Sequence, residues 1–259
     1  MRIVLFLLLA FSLCAQTNSK GKQLVDDAIS ALGGPKFLAM KNRVETGRAY
    51  SFYRQEVTGL SVATIYTEYL ESIPPKGLGV RERQSFGKKK EDYAILFLPD
   101  QGFQLTFRGA RPLPDDRWQQ YLATTSTNIF YLLRERRNDP KVFYDFVRSD
   151  VALNTQVNIV DIDDSQHQPV RVYFDEITKL PLRQEYTTWD PIGKQRSVEV
   201  TDYSKYRKVS GVQWPYVTHR GRNGETLYEM FADKVEIDRD LPEKTFALPP
   251  GIKILKKLD

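Results

Sequence analysis

From Gln168 to Ile237 apolar and polar residues alternate in five short runs, PVRVYFD, LPLRQEYTTW, QRSVEVTDYSKYR, VQWPYVTHR and ETLYEMFADKVEI, broken by four clusters of turn-forming residues. Period-two alternation in runs this short predicts strands, and turns of a few residues force sequential neighbours to pair antiparallel. The expectation is a five-stranded meander. Alternation puts Val170, Val172, Phe174, Leu182, Tyr186, Val198, Val200, Val212, Trp214 and Tyr216 on an apolar face, with Arg171, Arg183, Glu185 and Glu199 on a wet one.

Upstream, Gly21 to Leu32 carries Leu24, Val25, Ala28, Ile29 and Leu32 at helical spacing, with Lys22, Asp26 and Asp27 on the other side. Gly33-Gly34 suits a left-handed cap, and Pro35 opens a second helical turn, PKFLAM. From Arg43 the texture turns to strands: VETGRAYSFYRQEV, LSVATIYTEYLE, LGVRERQSF, EDYAILFL and FQLTFRG. Their separators are Thr58-Gly59, IPPKG, Gly87 to Lys90 and PDQG; the lysines read as a solvated hairpin tip.

One long helical pattern interrupts the strands, Pro114 to Arg137, with acids at its start and bases at its end as the helix dipole favours. Trp118, Tyr121, Leu122, Thr125, Ile129, Leu132 and Leu133 form a stripe broad enough to lie across a sheet. VFYDFVRS and TQVNIVDID follow, and the turn DDSQHQ leads into the meander. The whole reads as a mainly β (α+β) chain. Some eleven antiparallel strands form a large sheet that must curl to bury its face, with an N-terminal helix and an inserted helix.

Residues 1–15, MRIVLFLLLAFSLCA, have one Arg, an apolar run and small residues, the layout of a secretory signal peptide, and the run is too short to span a bilayer. Cys14 follows Leu13 where a lipidation box wants a small residue, so ordinary cleavage near Ala15 is the expectation, and a lipid anchor on Cys14 the lesser one. About 244 residues then remain, 16–259, read as a single domain, monomeric, exported across the inner membrane to the periplasm, with no further cysteine and no second hydrophobic span. Removing Arg2 leaves a charge of about +4, spread along the chain, which does not point to nucleic acid.

Catalytic chemistry is sparse. His167 and His219 are the only histidines, and both sit in polar surroundings; no G-x-S-x-G, no H-E-x-x-H and no Gly-rich phosphate loop is present. Asp161, Asp163 and Asp164 lack the glycine and distal glutamate of a calcium loop. No cofactor or metal is implied. A carboxylate pair assembled in space stays open, and with it a hydrolase of an envelope polymer.

The series T-K-L-P-L-R (Thr178 to Arg183), D-P-I-G-K, V-T-D-Y-S-K-Y-R-K-V-S-G-V-Q-W-P (Val200 to Pro215), N-G-E and V-E-I-D-x-D-L-P-E-K-T-F-A-L-P resembles the C-terminal half of the LolA-like outer-membrane lipoprotein-sorting proteins. The resemblance implies an incomplete antiparallel β-barrel with helices lying as a lid over its concave side. It also implies an apolar cavity that carries lipoprotein acyl chains or other lipids through the periplasm without covalent change. Each buried CH₂ there would be worth about 0.8 kcal/mol. The expected lining is Trp118, Tyr121, Leu122, Ile129 and Leu133 from the inserted helix, with Val172, Phe174, Tyr186, Val200 and Trp214 from the meander. A second reading on the same fold is an envelope interaction or stress-sensor protein whose hollow is filled by its own aromatics, with envelope proteins as partners.

Overall fold

The computed structural model describes residues 19–74, 77–87, 92–164, 169–190 and 194–258. The leader, the lysines Lys88 to Lys90 and His167 lie outside the described residues. A helix over residues 19–32 (α1) and α2 (Pro35–Ala39) come first. Then follow β1 (Asn42–Tyr53), β2 (Glu56–Tyr69), β3 (Val80–Gly87), β4 (Tyr93–Phe97), β5 (Gly102–Thr106) and β6 (Gly109–Pro112). Two helices, α3 (Asp115–Ser126) and α4 (Ile129–Glu135), lead to β7 (Phe143–Ala152), β8 (Thr155–Asp163) and β9 (Val170–Asp175). The last strands are β10 (Pro181–Asp190), β11 (Gln195–Val209), β12 (Val212–Arg222) and β13 (Glu225–Ile237).

These thirteen strands make one antiparallel sheet in the order β6-β5-β4-β3-β2-β1-β13-β12-β11-β10-β9-β8-β7. Two sequential meanders thus meet at a single seam, β1 on β13, while β6 and β7 stay unpaired with each other, so the barrel is incomplete. The sheet exceeds the eleven expected strands partly because β6 is only four residues long and reads in sequence as the tail of β5. The first hairpin also turns earlier than its composition suggests. Arg54 and Gln55, at φ 49° and 65°, form the two-residue turn with no glycine, and Thr58-Gly59 marks a bulge at Ser51/Phe52 instead.

The inner face, turned toward α3 and α4, is divided. Over the C-terminal meander it is filled by the protein itself: Leu24, Val25, Ala28, Ile29 and Leu32 of α1, Phe37 of α2 and most of α4 pack on Val160, Ile162, Val170, Val172, Phe174 and Val212. Gly33, at φ +130°, ends α1 where a Cβ would stand 2.7 Å from the Gly211 carbonyl, and Gly34 N–H closes back on the Ile29 carbonyl at 2.8 Å. Over the N-terminal meander the inner face is not filled. There it is the outer face that is covered, by a strap running on from β13. Phe246, in a 3-10 turn (Glu243–Phe246), packs with Leu241, Leu248 and Ile252 on Ala94, Leu96, Phe103 and Leu105. The strap ends in a parallel bridge, Ile254 to Ala110, on edge strand β6. Gly109, at φ +136°, lies where a Cβ would meet the Lys253 carbonyl at 2.3 Å.

The inserted helical stretch is two helices rather than one. Asn128 accepts from the backbone N–H groups of Phe130 (3.0 Å) and Tyr131 (3.3 Å) and so starts α4 anew. The halves differ in environment: α3 has no fully buried residue, whereas Ile129 to Leu133 of α4 are all buried, because five consecutive apolar residues cover every side of its first turn before Arg134 and Glu135 end it. In β11 the expected faces are inverted. Ser197, Glu199 and Thr201 are buried on the inner face, Val198 is exposed, and Val200 lies on the outer side. The alternation rule failed because the inner face at this end of the strand is polar. Elsewhere in the meander it held except at Leu182, which an irregularity between Pro181 and Arg183 leaves half-buried: Val170, Val172, Phe174, Tyr186, Val212, Trp214 and Tyr216 are buried, and Arg171 and Arg183 form outer-face ion pairs with Asp161 and Asp202.

Candidate functional site

Between α3 and the unfilled part of the inner face lies a cavity of about 870 Å³. That is in the range of small-molecule sites. Its walls come from β1 to β5, β10 to β13 and the faces of α3 and α4, so both meanders and the seam between them contribute.

The polar end is built on β1 to β3. Arg43, Thr67 and Glu82 are cross-strand partners in register, so their side chains share the inner face. Arg43 donates through Nε to Glu45 (2.6 Å), through Nη1 to the Tyr69 hydroxyl (3.0 Å) and through Nη2 to Thr67 Oγ1 (3.1 Å). Its guanidinium carbon sits 4.0 Å above the Trp214 ring, a cation–π contact. Burial disfavours charge on Arg43, but Glu45, Tyr69 and Glu82 outweigh it and hold the guanidinium charged above its ordinary range. Glu82 accepts from Gln84 Nε2 (2.6 Å) and Thr67 Oγ1 (3.2 Å). It stands half-buried on the cavity wall, and burial pushes its carboxyl above the usual 4.5, offset in part by Gln84, Arg43 and Thr67.

The roof is pinned at the α3–α4 break by Gln184 of β10, only 3% exposed. Its Oε1 accepts from Ile129 N–H (2.8 Å) and from the Tyr203 hydroxyl (2.7 Å), and its Nε2 donates to the Thr127 carbonyl (3.1 Å). One amide therefore satisfies three groups where a helix end meets the sheet. Along α3, Tyr121 stacks on Phe97 (centroids 3.7 Å apart, 7° between planes) and on Trp118 (5.6 Å). The Tyr121 hydroxyl is buried, and burial, with Glu82 nearby, holds it well above its ordinary range, offset in part by Thr125. Apolar lining is concentrated on the N-terminal meander, in Ile65, Phe86, Ile95 and Phe97.

Of the ten residues expected to line the cavity, Tyr121, Tyr186 and Trp214 do so. Ile129, Leu133, Val172 and Phe174 sit instead in the self-filled core of the C-terminal meander. Leu122 packs toward Leu78, Val80 and Tyr131. Trp118 lies over Gly102 of β5 and supports Tyr121, and Val200 is on the outer side of the sheet. The cavity is amphipathic and not the apolar hollow expected. Arg43, Glu45, Glu82 and Arg220 were missed because a lone polar position in a strand looks solvated. The usable signal was the period-two series Arg43, Glu45, Gly47, Ala49, Ser51 along β1, whose meaning depends on a register visible only in the fold.

Among the described residues the lining holds no histidine or cysteine, and its two carboxylates, Glu45 and Glu82, are engaged by the protein's own donors. Among the described residues no group of three or more His, Cys, Asp or Glu is placed to hold a metal ion. His219 lies against Glu229 (3.2 Å) and does not line the cavity. The arrangement is suited to non-covalent recognition of a guest with apolar and hydrogen-bonding parts. Among the described residues no helix is long and apolar enough to cross a membrane.

No protein-family model and no curated protein matches the sequence. Solved structures do match in fold. A structure from Vibrio parahaemolyticus, provisionally described as an outer membrane lipoprotein-sorting protein domain, superposes with a TM-score of 0.57 at 10% identity. A DUF1329 family protein from Desulfovibrio piger gives 0.59 at 12%, and a LolA superfamily protein from Nitrosomonas europaea gives 0.52 at 10%. Each match covers 88% of this chain and 97% of the other. The chain thus has a divergent LolA-like fold.

Proposed function

We propose that this LolA-like chain is a binding and carrier protein of the bacterial envelope, which holds lipoprotein acyl chains or another lipid in the cavity beneath α3 without covalent chemistry. The observation that carries the reading is the cavity itself: about 870 Å³ of space kept between a roof helix and one half of the sheet, while the other half is packed solid. A protein that needed only a stable core would have closed both halves, since empty space forfeits dispersion contacts on its walls. The aromatic and aliphatic wall of Phe86, Ile95 and Phe97 suits an acyl chain, and the polar end suits the part of the guest that is not hydrocarbon.

The leader-like residues 1–15 supply the route to the periplasm, and residues 16–259 act as one monomeric unit. The cavity donors and acceptors serve in recognition and not in catalysis, because Glu45 is tied to Arg43 and Glu82 to Thr67 and Gln84. The test is native mass spectrometry with solvent extraction of protein purified from a bacterial host, together with titration of a fluorescent fatty acid. Recovered acyl species and saturable, competable binding are expected. Absence of both would end this reading.

A further inference from the structure

We infer that the guest is an acyl amphiphile with an anionic head, a carboxylate or phosphate, and that Arg220 receives that head; this rests on the binding role proposed above. Arg220 enters the cavity from β12, half-buried, opposite Thr201 on β11 and Tyr228 on β13. Of the arginines at the cavity, Arg43 donates to Glu45 and the neighbouring Arg222 to Glu199, while Arg117 stands exposed on α3 with no carboxylate partner among the described residues. Arg220 has none either. Among the described residues no carboxylate lies within ion-pair distance of it, and its hydrogen bond is a 3.4 Å contact from Nη2 to Thr124 Oγ1 on the roof helix. A guanidinium carries five N–H donors in a planar fork, so most of Arg220's donors face the cavity unclaimed by protein. Such a fork matches the two oxygens of a carboxylate or phosphate better than any neutral group.

The charge around it agrees. Arg43, Arg117 and Arg220 line the cavity against Glu45 and Glu82, three cations to two acids, and burial pushes Glu82 toward its neutral form. The cavity is therefore net positive in either state of Glu82. A low-dielectric, half-enclosed site strengthens attraction for an anion. The apolar wall at Ile95 and Phe97 is set apart from the cation along the sheet: β4 is five strand spacings from β12, a path of roughly 24 Å that the curl of the sheet shortens across the cavity. Head and tail of one elongated molecule have separate places, and the roof contact at Thr124 places the head beside α3.

The experiment is calorimetric titration of the full chain with oleate below its micelle concentration, methyl oleate below its solubility limit, and inorganic phosphate. Oleate is expected to bind roughly ten- to a hundredfold more tightly than methyl oleate, the gain of a charge-assisted contact over a neutral one. Arg220→Gln should lower oleate affinity to that of methyl oleate and leave methyl oleate unchanged, and Arg220→Lys should restore part of the preference. Phosphate alone should bind weakly. Equal affinity for oleate and methyl oleate in the native protein would overturn the inference while the binding role stood, and so would a preference that survives in Arg220→Gln. Failure of both amphiphiles to bind would overturn both readings. Tight phosphate binding without amphiphile binding would mark a free-anion site and overturn the acyl part. The native comparison decides the matter even if a variant fails to fold.

Discussion

Arg43 lies over the indole of Trp214, its guanidinium carbon 4.0 Å from the ring centroid, and joins a strand beside the seam of the sheet to the core of the C-terminal meander. Trp214 is in turn held by Phe130 of α4, with centroids 4.5 Å apart. The charge is therefore buried between an aromatic face and Glu45. Arg43→Met leaves Glu45 buried without its cation and should cost about 3–5 kcal/mol, whereas Arg43→Met with Glu45→Gln should cost clearly less, since a buried pair removed together leaves no orphan charge. Urea unfolding of the three proteins measures this; equal losses in the single and double variants would refute the coupling.

Glu82 makes the stability of the fold depend on pH. Its carboxyl is raised above 4.5, chiefly by burial, so the folded chain holds that proton more tightly than the unfolded one. The associated stability is full below about 4.5 and is lost as pH rises through the raised value. Asp139, held below 3.8 mainly by the Lys141 N–H, works in the opposite sense: its contribution is present above 3.8 and fades as pH falls. Glu82→Gln isolates the first effect. Its urea midpoint relative to the native protein should shift in the variant's favour from pH 4 to pH 7, and a flat difference would show that burial of Glu82 is not the cause.

Gln184 is the fastening between sheet and roof. Gln184→Leu fills the space but leaves the Ile129 N–H, the Tyr203 hydroxyl and the Thr127 carbonyl without their partner. Unpaired buried groups cost about 1–3 kcal/mol each, so a loss of several kcal/mol is expected, together with faster amide exchange at Ile129. Asn128→Ala, which removes the α4 cap and a 3.3 Å donation from Asn128 Nδ2 to the Tyr203 hydroxyl, should cost less, about 1–2 kcal/mol. Comparable losses from the two variants would contradict the bridging role.

Ala49 lines the cavity from β1, buried with Ala63 and Met230 beneath Phe86 and Tyr228. Ala49→Trp should push Phe86 and Tyr228 into the cavity, lower the affinity for a fluorescent fatty acid at least tenfold and cost about 1–3 kcal/mol of stability through overpacking. Unchanged affinity would place the guest elsewhere on the protein.

Much of the architecture is written in local pattern. The α1 stripe, the cap at Gly33-Gly34 and the inward set Val170, Val172 and Phe174 follow from periods of 3.6 and 2, which any buried helix or strand must show. The cavity is less legible for two reasons. Sequence places Val200 inward and Glu199 outward because burial ordinarily selects apolar residues, yet here the inside of β11 is partly wet and the outside partly greasy. And apolar residues at Ile129, Leu133, Val172 and Phe174 look the same whether they touch a guest or one another; only the packing of α1 and α2 beneath α4 shows that they touch one another. The break at Asn128 was readable in principle, as an Asn just before a run of five large apolar residues.

The seam has a kinetic meaning as well. Each meander pairs neighbours a few residues apart, but Arg43 on β1 faces Ile237 on β13, with almost the whole sheet in between along the chain. Closing so long a loop carries the largest entropy cost of any pairing in the sheet and favours its formation late, after both meanders exist. Ala49 and Met230, paired across that seam, are both cavity walls. The space that would take a guest is thus created by the final joining of two preformed halves, and a bound guest that touches both would slow their parting.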